Sequence, residues 1–473
     1  MQNTKLAGNL MLLDSKGLSN FGKFINSPYF IERKQIPLLF KHLKNYAPSY
    51  SVSKEKLYSE VFPGKKYNDQ LMRKYISETN RIFERFAAIR SFERDKYAYE
   101  LCRAGEKSRL NLYEEVKKTS AALIRNLKDQ QVPGEEQYYY LYKFGVLHDE
   151  AASFSMNSSG RMFAEQTISG FIDYSAIMTL KYYSRLLNNR KYVNIDSTDK
   201  KLLDELVNIY YVNGKVNNPL VKIYYNIIRS IIDKENTGYY YSLKSLLYKN
   251  EHYIHGSDLR GFYIYLHNYC YEKADHGNME FVKERNEIML KFLNNGYCFE
   301  KGIMKPEFFS SMILNTLTLH KLKYAEEFYH KYSSSLPEEN RISLLNFTMA
   351  NITMRKKQYS KALGLLGKIK YNDVFDNIRT RTLYIMIYFE SAMYEPLKYQ
   401  TDSFRHFLKN SKNITSYINT RCLNFLKEIR KMVQYKEKGL QTGYSNDLEG
   451  KIVMNRSWLM EKIKEIDNIV IKR

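Results

Sequence analysis

The stretches KLKYAEEF (321–328), KKQYSKAL (356–363) and SAMYEPLK (391–398) place a tyrosine at 324, 359 and 394, an interval of 35 residues. Each tyrosine follows an apolar segment with helical spacing and opens a second one, so the unit reads as a helix hairpin. A lone hairpin cannot bury its apolar face and must stack on a neighbour, and a period in this range is the mark of stacked helix pairs. Around Tyr359, Met349 and Ala350 take the large and small places of the first helix, and Ala362 and Leu366 follow in the second. The Tyr394 unit has Leu397 at the small-residue place beside Pro396, whereas the Tyr324 unit has Ala325 two places early. Outside 308–410 the period gives no alignment of units. The expected fold class is all-α, with antiparallel helix-hairpin repeats stacked as a right-handed superhelix behind a small N-terminal helical bundle.

Working outward, residues 69–89 show how an ordinary segment of this chain is built. At about 100° per residue, Leu71, Met72, Tyr75, Ile76, Ile82, Phe83, Phe86 and Ile89 gather on one face, and Arg73, Lys74, Glu78, Arg81, Glu84 and Arg85 fill the other. Asn68-Asp69 marks the start with good capping residues, and Phe62-Pro63-Gly64 turns the chain out of a short helix begun at Ser53. Further helices are expected over 107–131, 135–148, 161–189, 199–212, 219–233, 239–251 and 258–275. From 278 they continue through 278–294, 306–320, 322–333, 338–355, 358–370, 377–391, 394–409 and 416–436. Short connections make successive helices neighbours. The expected division is a bundle over 1–105, a solenoid over 106–438, and a linker with a C-terminal helix over 439–473. That last helix carries the one tryptophan, Trp458, and is expected to dock on the helices before it.

Of 473 residues, 44% are hydrophobic and 15% aromatic, and mean hydropathy is −0.52, which fits a chain with a large interior rather than a disordered one. Nine prolines leave long uninterrupted segments. The 43 tyrosines recur at helical rather than alternating spacing, as in Tyr263, Leu266, Tyr269 and Cys270. The apolar run Leu10 to Leu13 is too short for a signal-peptide core or a membrane span, which leads to the expectation of a cytoplasmic protein. Cys102, Cys270, Cys298 and Cys422 form no CxxC pair and are read as buried free thiols.

The stretches FGKFINSPYF (21–30), EKLYSEVFPGKKYNDQLMRKYISE (55–78), LHNYCYEKADHGN (266–278), KYAEEFYHKYSSSLPEENR (323–341), QYSKALGLLGKIKYNDVF (358–375), DSFRHFLKNSKNI (402–414) and NRSWLMEKI (455–463) carry a resemblance that spans nearly the whole chain. In their wording the chain resembles a family of uncharacterised, all-helical bacterial proteins with tetratricopeptide-like (TPR-like) repeats. The resemblance implies a TPR-like superhelix and supplies no catalytic residues.

Net charge is +23, concentrated at the two ends: residues 1–100 hold 18 basic against 10 acidic side chains, and residues 401–473 hold 15 against 8. Such a distribution suits nucleic acid, although a chain rich in Lys, Asn, Ile and Tyr also gains it from genome composition. Two basic faces follow. At the N-terminal end Lys65, Lys66, Arg73 and Lys74, continued by Arg81 and Arg85, sit in a short-helix, turn, long-helix context loosely like a helix-turn-helix. Near the other end Lys427, Arg430 and Lys431 point away from the apolar arc of 418–433, with Arg421 and Lys412 flanking. Glu251, His252, His255 and Asp258 form the one metal-like grouping, at a spacing that more often marks surface histidines. No GxGxxG, GxxxxGK[ST], GxSxG or HExxH pattern occurs, and no nucleophile with its base is assembled. The expectation is a non-catalytic scaffold without cofactor or small-molecule substrate that binds a protein or peptide partner, with nucleic-acid binding as the alternative.

Overall fold

The computed structural model describes residues 1–129, 134–154, 160–189, 205–209, 218–254, 256–371, 373–411, 414–438, 448 and 450–471. Among these it is helical almost throughout, and no helix is long and apolar enough to cross a membrane. The expected helix over 199–212 and the expected linker after Gly439 lie almost wholly outside the described residues, as do His255 and Lys412. Contacts divide the chain into two compact units, Met1–Ser175 and Ala176–Arg473.

In the first unit, α1 (Lys5–Met11), α2 (Ser15–Ile25), α3 (Gln35–Lys44) and α4 (Lys54–Val61) pack around α5 (Asp69–Arg94). Side-chain caps set the starts: Thr4, Asp14, Ser53 and Asn68 each accept from the backbone N–H three residues on. Met72, Ile76, Phe83 and Phe86 of α5 are buried, and Phe21 lies edge-on to Phe40 and Phe83 in the middle of the bundle. The expected helix over 107–131 is two helices instead, α6 (Lys96–Arg109) and α7 (Tyr113–Lys128), broken where Asn111 takes a φ of 61°. Then come α8 (Glu135–Phe154) and α9 (Gly160–Asn189), the latter crossing the division between units. A methyl group at Gly145 would overlap Thr167 Oγ1, so α8 and α9 approach here only because the side chain is missing.

The second unit continues with α10 (Pro219–Ile232), α11 (Gly238–Asn250), α12 (Gly256–Asp275) and α13 (Met279–Asn294). A two-residue strand pair follows, β1 (Phe299–Glu300) antiparallel to β2 (Ile303–Met304), closed through Lys301 and Gly302 with φ of 51° and 81°. Two residues are too few to show alternation in a sequence. Next are α14 (Pro306–Thr318), α15 (Leu322–Tyr332), α16 (Arg341–Arg355), α17 (Tyr359–Leu366), α18 (Val374–Glu390), α19 (Tyr394–Asn410), α20 (Ser416–Lys438) and α21 (Arg456–Ile471). Helices α10/α11, α12/α13, α14/α15, α16/α17 and α18/α19 pack as pairs, and α16 also packs on α14 and α18.

Five of the helix pairs in the two units turn in the same way. Three residues connect the helices, and the middle one is left-handed: Asn111, Gly277, His320, Lys357 and Ala392, with φ between 56° and 89°. The third donates its N–H to the carbonyl five residues back, as in Leu112 to Lys107, Asn278 to Lys273, Lys321 to Thr316, Gln358 to Thr353 and Met393 to Tyr388. That bond closes the last turn of a helix on its orphan carbonyls. Seven residues before the left-handed position lie Ala104, Cys270, Ile313, Ala350 and Ile385, and five after it Val116, Val282, Ala325, Ala362 and Leu397, all buried. In this register Ala325 matches Ala362, and it is Tyr324 that sits two residues deeper in its helix than Tyr359 and Tyr394.

Trp458 is buried on the rings of Phe389 and Phe425, and its Nε1 donates to Glu390 Oε1 at 3.0 Å. Leu459, Ile463 and Ile466 join it in one apolar cluster with α16 to α20. With one tryptophan in the chain, the native emission maximum should lie well to the blue of free tryptophan and shift red with the docking of α21 lost in urea. A solvent-like native spectrum would mean that α21 is not seated there. Of the four cysteines, Cys270, Cys298 and Cys422 are buried as expected, but Cys102 is exposed.

Candidate functional site

The structure treats the two expected basic faces differently. At the N-terminal end Glu78 is taken by Arg33 at 3.0 Å and Glu84 by Lys5 at 2.7 Å, so the acids that interrupt the face are already neutralised. Arg73 is held by Asp69 at 2.7 Å, and Arg85 lies over the Phe30 ring. Lys65, Lys66 and Lys74 are exposed, and among the described residues no carboxylate lies within ion-pair distance of them.

Along α20 the cations are separated by their partners. Arg430 pairs with Asp402, Lys431 lies 3.7 Å from Glu428, and Arg421 pairs with Asp275, leaving exposed Lys427 without an ion pair among the described residues. Glu428 is nearly fully buried, with Lys451 3.5 Å from the same carboxylate oxygen that faces Lys431. The metal-like grouping is also dispersed: Glu251 accepts from Lys291 and Tyr263, and Asp258 faces Lys181.

Arg421 leads to a cluster that local spacing does not reveal. His267, Tyr271 and Asp275 stand four residues apart on one face of α12. Arg285, buried on α13, donates its Nε to His267 Nε2 at 3.2 Å and sets its guanidinium 4.8 Å from the centre of the Tyr271 ring. Arg421 adds its pair to Asp275 and a place over the Tyr417 ring at 5.7 Å. Its Nε is buried with no hydrogen-bond partner among the described residues. Tyr271 and Tyr417 themselves are exposed at the rim. The sequence does carry one signal for this cluster. Phe281, Val282, Ile288, Met289 and Phe292 follow helical spacing, so Arg285 stands inside an apolar stripe where an arginine has no reason to be.

Burial, with Arg285 beside it, pushes His267 down from 6.5 to about 4, so the imidazole is neutral at physiological pH. Burial raises the Asp275 carboxyl against the pull of Arg421. An unfolded His267 takes up its proton near 6.5 and the folded one only near 4, so the unfolded chain binds the extra proton between those values. Stability must then fall as pH drops through that window, by up to roughly 3 kcal/mol. Asp275, whose raised carboxyl is protonated first in the folded chain, offsets part of the loss. Urea midpoints of wild type and His267→Gln between pH 7 and 4 should show the shallower acid slope in the variant; parallel slopes would contradict an imidazole kept neutral by its surroundings.

The high tyrosine content has a related use. Tyr240, Tyr241 and Tyr248 of α11 donate to Glu284, Glu280 and Glu287 of α13, and Lys244 bridges Glu284 and Glu287 at 2.7 and 2.8 Å. The rings fill the interior while the hydroxyls satisfy carboxylates at its edge. In the first unit, a cavity of about 460 Å³ lies between α7, α8 and α9, lined by Gln137, Glu165, Thr167 and Asp173 among others, with no histidine or cysteine in its lining. Compared with protein-family models, curated proteins and solved structures, the chain matches none.

Proposed function

We propose that the protein is a non-catalytic protein-interaction scaffold in which TPR-like helix hairpins stack into a superhelix and a partner segment lies along the first helices. The observation that carries this reading is the recurrence of one turn and one pair of buried positions through the three consecutive hairpins of 306–410, with α14, α16 and α18 packed in succession. Successive first helices are how solenoids build a concave binding surface. Ile342 on α16 and Phe375 on α18 are exposed apolar side chains on two of these first helices and would supply the contact. The protein would act in the cytoplasm, without a cofactor.

Nucleic-acid binding is the second reading, favoured by Lys65, Lys66 and Lys74, exposed and without an ion pair among the described residues, rather than by α20, whose cations are largely engaged. Reversing these three lysines to glutamate should leave the fold intact, because surface substitutions of this kind cost within about 0.5 kcal/mol each. The test combines capture from the native host after nuclease treatment with binding of the purified partner and of mixed RNA and DNA at low and physiological salt. A scaffold predicts a partner that survives nuclease and salt, ignores the lysine reversals and is weakened by Ile342→Ala with Phe375→Ala. Nucleic-acid affinity near physiological salt that the reversals abolish would overturn it.

A further inference from the structure

We propose that Arg285 and Arg421, with Tyr271 and Tyr417 at their rim, form a binding site for one compact oxyanion, a phosphate or carboxylate group carried by a ligand. The argument begins with charge. The cluster holds two guanidinium groups, one carboxylate and a neutral imidazole, an excess of one positive charge among side chains that are mostly withdrawn from water. Asp275 serves Arg421. Among the described residues Arg285 has no carboxylate within ion-pair distance, and its one hydrogen bond there, to His267, uses only Nε. A buried cation left in this state costs several kcal/mol that an incoming anion would recover.

The geometry also favours recognition. Guanidinium forks match the spacing of carboxylate and phosphate oxygens, and stacking on an aromatic ring holds the fork in plane without using its donors. Tyr271 does this for Arg285, and Asp275, one turn along the same face of α12, pairs with Arg421, so a single helix face sets the two forks relative to each other. Tyr417 supports Arg421 from its own helix, one turn away. His267, a neutral acceptor for Arg285, fixes that side chain without cancelling its charge. The rim rings are exposed, so the ligand's anionic end has a way in and the rest of the ligand can lie over aromatic surface.

The test is calorimetric titration of the full chain at low ionic strength with inorganic phosphate and, separately, with acetate. Saturable binding to one site is expected, weakened about tenfold or more by Arg285→Gln and unchanged by Lys361→Gln, a change at an exposed lysine of α17. The better of the two titrants tells a phosphate ligand from a carboxylate one. Because Arg285→Gln could unfold this region, the wild type is also followed by nitrogen-15 spectroscopy of its arginine Nε–H groups, where the Arg285 and Arg421 signals should shift together with the same saturation. No saturable binding of either anion, binding that persists in Arg285→Gln, or unmoved Arg285 and Arg421 signals would each overturn the proposal.

Discussion

Ala362→Asp should be among the most damaging single changes in this protein, with a loss of about 4 kcal/mol or more. Ala362 has no exposed surface and belongs to one apolar cluster with Ala350, Met354, Leu366, Ile385 and Leu397. An aspartate there must be larger than its site, and its charge has no partner in the cluster, which combines overpacking with unpaired burial. The neighbouring residues make the test sharp. Leu363 is only half buried at the edge of the same cluster, so Leu363→Asp should cost distinctly less, and exposed Lys361→Asp should cost almost nothing. Urea unfolding of the three variants would give that order. If Lys361→Asp or Leu363→Asp proved worse than Ala362→Asp, the register assigned to α17 would be wrong.

Asp275→Leu is expected to cost about 3–5 kcal/mol, because it removes the carboxylate that serves the half-buried Arg421 and leaves its guanidinium near that of buried Arg285 without a counter-charge. The loss is one of desolvation and like-charge repulsion more than of a favourable bond. For that reason Asp275→Leu combined with Arg421→Met should recover much of it, since an apolar pair of similar volume is commonly no worse than the ion pair it replaces. A double-mutant cycle in urea measures this directly. Strictly additive losses would show that the two residues do not communicate, and would also remove the electrostatic basis of the oxyanion site.

The helices were largely legible in the sequence because their signals are local. Ser53 and Asn68 announce helix starts that the structure keeps, and the apolar stripe from Met72 to Phe86 is the buried face of α5. The break at Asn111 was not legible, since a left-handed asparagine leaves the surrounding helical pattern unchanged. The tyrosine interval of 35 pointed to the right hairpins and hid their register, because tyrosine at the start of a second helix is tolerated over more than one position. The candidate site was harder still. Asp275 and Arg421 are 146 residues apart, and only tertiary structure brings them together. Lys427, Arg430 and Lys431 form a basic face on a helical wheel, which shows Glu428 one turn from Lys431 but cannot show that Asp402 of α19 comes to meet Arg430.

The shared turn has a consequence for how such a protein can change. Its hydrogen bond joins backbone to backbone, and residues as unlike as asparagine, glycine, histidine, lysine and alanine occupy its left-handed position. Holding a residue with a side chain there costs on the order of 1 kcal/mol, little enough that glycine is preferred but not required. Each hairpin is thus specified by a backbone conformation and two buried places filled by anything from alanine to isoleucine or leucine, and most of its other positions answer only to the loose demand that one face be apolar. Very little information per hairpin needs to be inherited for the architecture to persist. Chains that share this turn can therefore drift far apart in sequence while keeping their hairpins, and the exposed helix faces are left to vary with whatever they touch.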